Sequence, residues 1–398
     1  MDILYITPMA FGVYVHIPYC IQRCTYCDFA TYEQSKILPP DQYVQLLFEE
    51  MRQKHQYYQP QQLDTLYFGG GTPSLIPAHL IVAVIKELGR YGYTTGPETE
   101  ITIEINPATV DKDKLKMYID HGVTRFSVGA QTFDDRLLKM VHREHSAKQT
   151  LETLDLLRAH GLNFSFDILF ALPSQTFEGL KNDVRIAVEQ GAKHISPYCL
   201  TVPEGHPLSK GRPIEDEQVD MFDFIANELT GHGFQQYEIS NFALPGYESR
   251  HNLLYWIDEP YWGLGLSAHS YSKESPWGTR YWNVNSIGEY QKQILMHQGH
   301  FFSSPSVHLP SEQFEQLERH QALTDFCHTS MRLMRGLNET ALQEKFSKDI
   351  YHQVSSIMTK LMGNGWVKND QGHWSLTPEG IVISNKVFQE LTFLKGDV

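Results

Sequence analysis

The chain of 398 residues contains no apolar run that approaches the roughly 20 residues a membrane-spanning helix needs. The segment from Met1 to Tyr5 lacks a basic stretch and a small-residue cleavage site, so we expect no signal peptide. Only five cysteines are present, an odd number. Three of them cluster near residue 20, and the other two, Cys199 and Cys327, are expected to be buried apolar side chains rather than a disulfide. This pattern fits a reducing compartment and predicts a cytoplasmic protein.

Positive charge is also scarce, with 33 Lys and Arg against 47 Asp and Glu and a formal net charge of −14. Such a chain has no global field that attracts nucleic acid, and it contains no long basic patch, so we expect no nucleic-acid partner. The phosphate-binding pattern G-x-x-x-x-G-K-[ST] is missing as well. The length of 398 residues predicts an enzyme-sized protein of two or three domains.

The most informative stretch runs from Phe11 to Phe29. An apolar run reads as a strand, Pro18 ends it, and Cys20, Cys24 and Cys27 follow at C-x3-C-x2-C spacing. Thiolates are ligands for zinc, copper(I) or an iron–sulfur cluster. Since a cubane cluster normally takes four cysteines, a loop with three would leave one iron open for a small chelating molecule. Two alternatives remain, a structural zinc site completed by His16 and a group of unliganded thiols.

Strand and helix patterns alternate after this loop. The predicted strands lie at 11–17, 63–68, 100–105, 123–129, 163–170 and 194–200, and the predicted helices at 41–55, 79–91, 111–121, 147–160 and 177–190. Each repeat is long enough for a right-handed crossover between parallel strands. The alternation predicts an α/β fold, a parallel and partly closed barrel of six strands over about residues 1–235.

Several polar or glycine-rich stretches come directly after these strands, where α/β barrels place their chemistry. Gly69–Gly71 follows the second strand, and three glycines let a backbone approach a ligand closely, although such a run is as often a tight turn. Glu104, Gln131 and Asp167 fall at or near later strand ends, and we expect them to face the cysteines. Arg143 alone could equally belong to a solvated helix end.

The cysteine spacing, with Tyr26 just before the last cysteine, resembles the signature of the radical S-adenosylmethionine (SAM) superfamily. Longer phrases, YFGGGTPS at 67–74, EINP at 104–107 and SVGAQTF at 127–133, resemble its coproporphyrinogen dehydrogenase-related branch. The phrases QYEISNFA at 236–243, RHNLLYW at 250–256 and GLGLSAHS at 263–270 are similar to the HemW-type haem chaperones within that branch.

This resemblance implies a [4Fe-4S] cluster, SAM and haem as cofactors. It implies cluster ligation by Cys20, Cys24 and Cys27. The residues implied in cofactor binding are Tyr14, Tyr26, Gly70, Gly71, Thr72, Glu104, Gln131, Arg143, Asp167 and His251. Haem is commonly held by a histidine in an aromatic pocket, which makes His251 of the HNLLYW phrase the candidate axial ligand and His269 a weaker rival.

The alternative within the branch is the oxygen-independent coproporphyrinogen III oxidase of porphyrin biosynthesis. That enzyme carries a fourth cysteine in the form C-x3-C-x2-C-x-C and lacks the HNLxYW phrase. Here Asp28 and Phe29 follow Cys27. Both differences favour a haem chaperone, and whether the chain is an enzyme stays open. The resemblance also implies acceptor haemoproteins as partners, transient membrane association through them, and a flavodoxin or ferredoxin as electron donor if SAM is cleaved.

Beyond the barrel we expect a bridging segment at 236–302 and a C-terminal domain at 303–398. Helical pattern over 311–335, 338–346 and 350–362 precedes a hairpin signal around Asn369–Gly372 and a final helix from Thr377. Helices followed by a hairpin predict an α-rich, winged-helix-like domain. Because no helix in it is basic, we expect a lid or docking module rather than a DNA-binding unit.

Overall fold

The computed structural model describes residues 10–398, so the segment on which the signal-peptide prediction rests lies outside the described residues. The strands, in chain order, are β1 (Gly12–Ile17), β2 (Tyr19–Cys20), β3 (Tyr32–Glu33), β4 (Thr65–Gly70), β5 (Glu100–Ile105), β6 (Arg125–Gln131), β7 (Asn163–Phe170), β8 (His194–Cys199), β9 (Gln235–Glu238), β10 (Asn241–Ala243), β11 (Tyr261–Leu264), β12 (His269–Ser272), β13 (Thr279–Trp282), β14 (Phe314–Gln316), β15 (Leu337–Asn338), β16 (Val367–Asp370) and β17 (His373–Leu376).

The helices are α1 (Pro40–Lys54), α2 (Ala78–Arg90), α3 (Lys112–Asp120), α4 (Asp135–Met140), α5 (Ala147–Ala159), α6 (Phe177–Glu189), α7 (Glu215–Gly231), α8 (Arg250–Trp256), α9 (Ile287–Met296), α10 (Arg319–Arg332), α11 (Glu339–Phe346), α12 (Lys348–Gly363), α13 (Pro378–Val382) and α14 (Ser384–Glu390). The five helices predicted between residues 41 and 190 are confirmed within one residue at each end.

Twelve of the strands form one sheet in the order β14-β13-β12-β11-β1-β4-β5-β6-β7-β8-β10-β9. Strands β1, β4, β5, β6, β7 and β8 are parallel neighbours, which confirms the predicted six-stranded parallel barrel. The predicted bridging segment adds β11 in parallel register beside β1, followed by antiparallel strands. All six parallel strands therefore end on the same side, and that side carries the cysteine loop.

Alternation along β1 shows how the barrel wall is built. Val13, Val15 and Ile17 are fully buried in the main apolar core, whereas Tyr14 and His16, one residue out of phase, lie on the opposite face of the strand. Tyr14 is in register with Tyr67 of β4, and their rings stack at 6.1 Å. Tyr14 and Tyr67 therefore line the interior of the barrel, whereas the aliphatic side chains of β1 pack on the opposite face of the sheet.

The C-terminal helices enclose a second apolar core that runs from Leu317 to Phe393. Asn338 caps α11 by accepting a hydrogen bond from the amide of Ala341 at 2.8 Å. Strands β16 and β17 form the predicted hairpin, with Gln371 and Gly372 both at positive φ. Together with β15 they complete a winged-helix-like arrangement.

One predicted helix is wrong in its first part. Residues 314–316 form the edge strand β14 beside β13, and α10 begins only at Arg319. The pairing is supported by an ion pair of 3.0 Å between Arg280 and Glu315 across the two strands. The large sheet thus extends past the boundary predicted at 303.

The two remaining cysteines differ from each other. Cys327 is buried in the second core as predicted, but Cys199 is exposed at the end of β8, so the prediction for it is wrong. Cys199 is exposed because it lies at the end of a barrel strand, beyond the apolar layer. No helix within residues 10–398 has the length and apolar content to cross a bilayer.

Candidate cofactor site

The cysteine loop starts where β1 ends. Cys20 belongs to the short strand β2, which pairs with β3, and the amide of Cys27 donates to the carbonyl of Cys24 at 3.3 Å in a tight turn. Burial raises the pKa of the Cys20 thiol to about 11, although hydrogen bonds from Thr31 and Thr72 act in the opposite direction. Without a metal this thiol stays protonated, and a metal ion would displace the proton.

A cavity of about 530 Å³ opens beside this loop, at the carboxyl ends of the barrel strands. Its lining contains all the predicted site residues except Tyr14 and His251: Cys20, Cys24, Tyr26, Cys27, Gly70, Gly71, Thr72, Glu104, Gln131, Arg143 and Asp167. We call it the cofactor cavity. Residues separated by almost 150 positions in sequence meet there because parallel strands end together.

The glycine run folds tightly over the start of the cysteine loop. Gly70 has φ of +109°, and a Cβ there would come within 2.5 Å of the His16 ring. The amide of Gly71 donates to the carbonyl of Ile17 at 2.9 Å, and a Cβ on Gly71 would meet the Tyr19 carbonyl at 2.7 Å. Both positions require glycine, so the run brings bare backbone to the cavity wall.

Two partly buried carboxyl groups, those of Glu104 and Asp167, form the negative side of the cavity. Glu104 accepts hydrogen bonds from the Tyr67 hydroxyl at 2.8 Å and from the Gly70 amide at 3.1 Å. Burial raises the pKa of Glu104 to about 7 and that of Asp167 to about 6. The nearby Arg125 guanidinium lowers both pKa values, but less than burial raises them. A cationic group that entered the cavity would favour the ionised carboxylates.

The positive side of the cavity is Arg143. Its guanidinium donates to the Cys24 sulfur at 3.4 Å and to the carbonyl of Gly129. Its buried Nε has no hydrogen-bond partner among the described residues. Gln131, at the end of β6, adopts a positive φ of 68°, a conformation uncommon for residues other than glycine. A guanidinium that contacts Cys24 and keeps one donor unpartnered fits an incoming carboxylate.

The donor set also discriminates between the two metal alternatives. His16 is hydrogen bonded to Tyr14 at 3.1 Å and to the Ala30 carbonyl at 3.0 Å, so both ring nitrogens are engaged. Within residues 10–398, no three His, Cys, Asp or Glu side chains converge as ligands of a single metal ion do. A cubane cluster binds each cysteine at a different iron, and the three thiols of one loop fit it better than a zinc site.

Tyr14 and His251 lie deeper in the barrel, not in the cofactor cavity. The His251 side chain is 1% exposed, with Nδ1 at 2.7 Å from the Thr65 hydroxyl and Nε2 at 2.9 Å from the Tyr255 hydroxyl. Its ring stacks on Tyr67 at 5.0 Å. We call Tyr14, Tyr67, His251 and Tyr255 the barrel floor. The aromatic surroundings predicted for His251 are present, and in this conformation both of its ring nitrogens are hydrogen bonded.

Some cavity residues escaped the sequence analysis. Tyr198 and Cys199 line the cavity from the end of β8, and the rule that found Glu104 and Asp167 at strand ends applies equally to them. Arg125 is almost fully buried at the start of β6 and influences both acidic residues. A single arginine among strand residues gives no sequence signal for such a role.

A sheet of parallel strands with a three-cysteine loop and a polar cavity at its carboxyl edge defines a radical SAM protein. Residues 14–187 match the family model of the radical SAM superfamily, and membership implies a [4Fe-4S] cluster and SAM. The haem chaperone HemW of Lactococcus lactis is 31% identical over 400 residues, which cover 97% of this chain and 98% of that protein. HemW of Bacillus subtilis is 32% identical over 386 residues, with 95% and 98% covered. The chain belongs to the HemW family of radical SAM proteins.

The solved structure of the coproporphyrinogen III oxidase HemN from Escherichia coli, a radical SAM enzyme, has a TM-score of 0.81 to this chain. It is 20% identical and matches 96% of this chain and 90% of its own. At that identity the likeness shows the shared fold alone. It extends over the barrel and the C-terminal domain together.

Proposed function

We propose that this protein is a radical SAM-fold haem chaperone that binds a [4Fe-4S] cluster, SAM and haem, and passes haem to acceptor haemoproteins. The observation that carries the proposal is the match to HemW relatives over nearly the full length of both chains. A cavity that gathers the three cysteines and the predicted SAM residues other than Tyr14 supports the cluster and SAM parts of it.

In this proposal Cys20, Cys24 and Cys27 hold the cluster and leave one iron open to SAM. When bound, the cluster and SAM supply one-electron chemistry. Glu104 and the Gly70 backbone suit the SAM ammonium group, since they present a carboxylate beside tightly turned chain. Arg143 suits the SAM carboxylate, because its guanidinium has an unpartnered donor next to Cys24.

The axial ligand of haem stays a prediction. For His251 to bind iron, the Tyr255 hydroxyl must leave Nε2 and the barrel floor must open. Helix α8, which carries His251, is held from the other side by the C-terminal domain, where Arg332 of α10 lies 4.5 Å from the Trp256 ring. Ligation by His251 would therefore disturb a helix that the C-terminal domain contacts.

Acceptor haemoproteins are the proposed partners, with a flavodoxin or ferredoxin as electron donor if SAM is cleaved. Transient membrane association through acceptors, a cytoplasmic location and the division into units at 1–235, 236–302 and 303–398 are further proposals.

The test is an anaerobic comparison of two activities on the cluster-reconstituted full chain. Haem titration followed by visible absorbance should give saturable binding with a Soret band. Coproporphyrinogen III with SAM and a reductant should remain unconverted. Turnover of coproporphyrinogen III would instead assign the chain to the oxidase alternative, and no haem binding would overturn the chaperone proposal.

A further inference from the structure

The guanidinium of Arg143 borders two cavities. Arg143 lines the cofactor cavity, and it also lines a cavity of about 550 Å³ formed mainly by α4, the start of α5 and the loop between these helices. We call this second space the flank cavity. The terminal nitrogens of the guanidinium contact the Cys24 sulfur at 3.4 Å and the Gly129 carbonyl, whereas the buried Nε has no hydrogen-bond partner within residues 10–398. These contacts leave one buried donor of Arg143 unused.

His145 provides a matching acceptor in the flank cavity. It is 3% exposed, and it lines that cavity but not the cofactor cavity. Nε2 lies 3.2 Å from the Ala130 carbonyl oxygen, and because a carbonyl only accepts, Nε2 carries the proton and Nδ1 keeps a lone pair. Burial and the charge of Arg143 lower the pKa of His145 to about 4, so the ring is neutral near pH 7. Nδ1 is buried and forms no hydrogen bond with any described residue.

Two carboxylates line the same cavity and compete as acceptors for Arg143. Asp135 is engaged at the start of α5, where it accepts a hydrogen bond from the Ala147 amide at 2.8 Å. Glu144 is exposed, so its carboxylate keeps its contacts with water. A buried donor and a buried acceptor without partners each carry a cost that one shared hydrogen bond removes. Arg143 and His145, two positions apart in the chain, are such a pair.

We propose that His145 is a positioning residue for SAM binding, whose Nδ1 accepts the Nε–H of Arg143 when the guanidinium turns to the SAM carboxylate. Each terminal nitrogen of Arg143 has two N–H groups, so one on each remains for the carboxylate after the contacts with Cys24 and Gly129. A guanidinium that is also held at Nε loses less side-chain freedom when the ligand arrives. This inference rests on the proposed SAM binding and adds a residue that does not line the cofactor cavity.

Two variants of His145 separate the roles of its two nitrogens. His145→Asn places an amide oxygen near the position of Nδ1 and loses the group at Nε2, whereas His145→Gln places an amide near Nε2 and loses the acceptor at Nδ1. Calorimetric titration of the cluster-reconstituted full chain with SAM compares them. His145→Gln should weaken SAM affinity about tenfold, a loss of roughly 1.4 kcal/mol, and His145→Asn should stay within about twofold of the unmodified chain. Iron content and the thermal midpoint check the folding of each variant.

A double-mutant cycle shows whether His145 acts through Arg143. In the Arg143→Ala background, His145→Gln should cause no further loss of SAM affinity, because the acceptor then has no donor to hold. A merely structural histidine would weaken binding by the same factor in both backgrounds, and that result would overturn the inference. A loss of affinity in His145→Asn with normal affinity in His145→Gln would also overturn it, because the contact with the Ala130 carbonyl would then be the one that matters.

Failure of the inference and failure of the proposed function can be distinguished. If the unmodified chain binds SAM and His145→Gln binds it equally well, only the inference is wrong. If the unmodified chain binds no SAM, the SAM part of the proposed function fails, and the inference fails with it.

Discussion

The two ends of the barrel interior contrast in chemistry. At the mouth, the cofactor cavity presents an arginine donor without a partner and two carboxyl groups with raised pKa values. It also contains the Cys20 thiol, whose pKa is raised by burial. At the barrel floor, His251 and its aromatic neighbours already satisfy one another through hydrogen bonds and stacked rings. An unsatisfied donor such as Arg143 Nε and carboxyl groups with raised pKa values carry a cost that a ligand of matching charge relieves, so the mouth favours binding and the floor favours rigidity.

The largest effect should come from the cluster ligands at the mouth. Cys24→Ser should abolish the brown chromophore and release iron and sulfide after reconstitution, because the serine hydroxyl does not replace a thiolate. Iron and sulfide analysis with visible absorbance measures this. Cys199→Ser is the matched control, since Cys199 lines the same cavity outside the cysteine loop. Retained zinc without iron in the unmodified chain would contradict the cluster assignment.

The next effect concerns the positive side of the mouth. Arg143→Ala should weaken SAM binding about 10- to 100-fold, because charge-assisted hydrogen bonds contribute roughly 1.5–3 kcal/mol. Calorimetric titration of the reconstituted protein with SAM measures the change. Arg136→Ala removes an exposed arginine of α4 that pairs with Asp134, and SAM affinity should not change. Equal SAM affinity in Arg143→Ala would remove Arg143 from the site.

The carboxyl group of Glu104 predicts that both the stability of the chain and its affinity for SAM depend on pH. Burial raises the pKa of Glu104 from 4.5 to about 7, so the folded chain without ligand binds a proton there below pH 7. The stability that this protonated group contributes is lost as pH rises from about 4.5 to about 7. The affinity for the SAM ammonium should therefore rise with pH through 7, and Glu104→Gln should flatten that profile. A profile unchanged by the substitution would place the ammonium elsewhere.

The barrel floor should respond in stability rather than in cofactor binding. Tyr255→Phe removes the hydrogen bond to His251 Nε2 and should lower the free energy of unfolding by about 1–3 kcal/mol, with SAM affinity unchanged. Denaturant unfolding of the apo-protein measures the stability. If His251 ligates haem, the freed nitrogen should also strengthen haem binding. A loss of SAM affinity would show that mouth and floor are coupled.

The smallest effect lies far from both regions. Asn338→Ala removes the cap of α11 and should cost about 1 kcal/mol of stability, with no change in cluster content or SAM affinity. Thermal unfolding followed by circular dichroism would detect the change. Altered cofactor binding in this variant would mean that the C-terminal domain controls the mouth directly.

Most of the site residues in the cofactor cavity could be predicted because short sequence patterns indicate them. Strand–helix alternation predicted the six parallel strands, and parallel strands bring their carboxyl ends together, so Glu104 and Asp167 could be placed beside the cysteines before their contacts were known. Gly70 and Gly71 could be predicted for the same reason. Glycines at a strand end predict that the backbone there comes close to a ligand.

The floor and the periphery depend on long-range packing, which no local pattern encodes. Thr65, whose hydroxyl meets His251, is 186 positions away from it in sequence. Residues 314–316 read as helix but pair with β13 because a sheet edge was available there. A cavity of about 520 Å³ joins the end of α1 to the loop before β14, more than 240 positions later, and neither segment shows a sequence motif.

The most direct test of the account is haem transfer from the haem-loaded full chain. Apomyoglobin, which captures free haem, measures spontaneous release, and an apo-form of a b-type cytochrome serves as acceptor under the same anaerobic conditions. The account predicts that the transfer rate to the cytochrome rises with its concentration and exceeds the release rate seen with apomyoglobin. Equal rates that do not depend on acceptor concentration would contradict a chaperone and leave only passive haem binding.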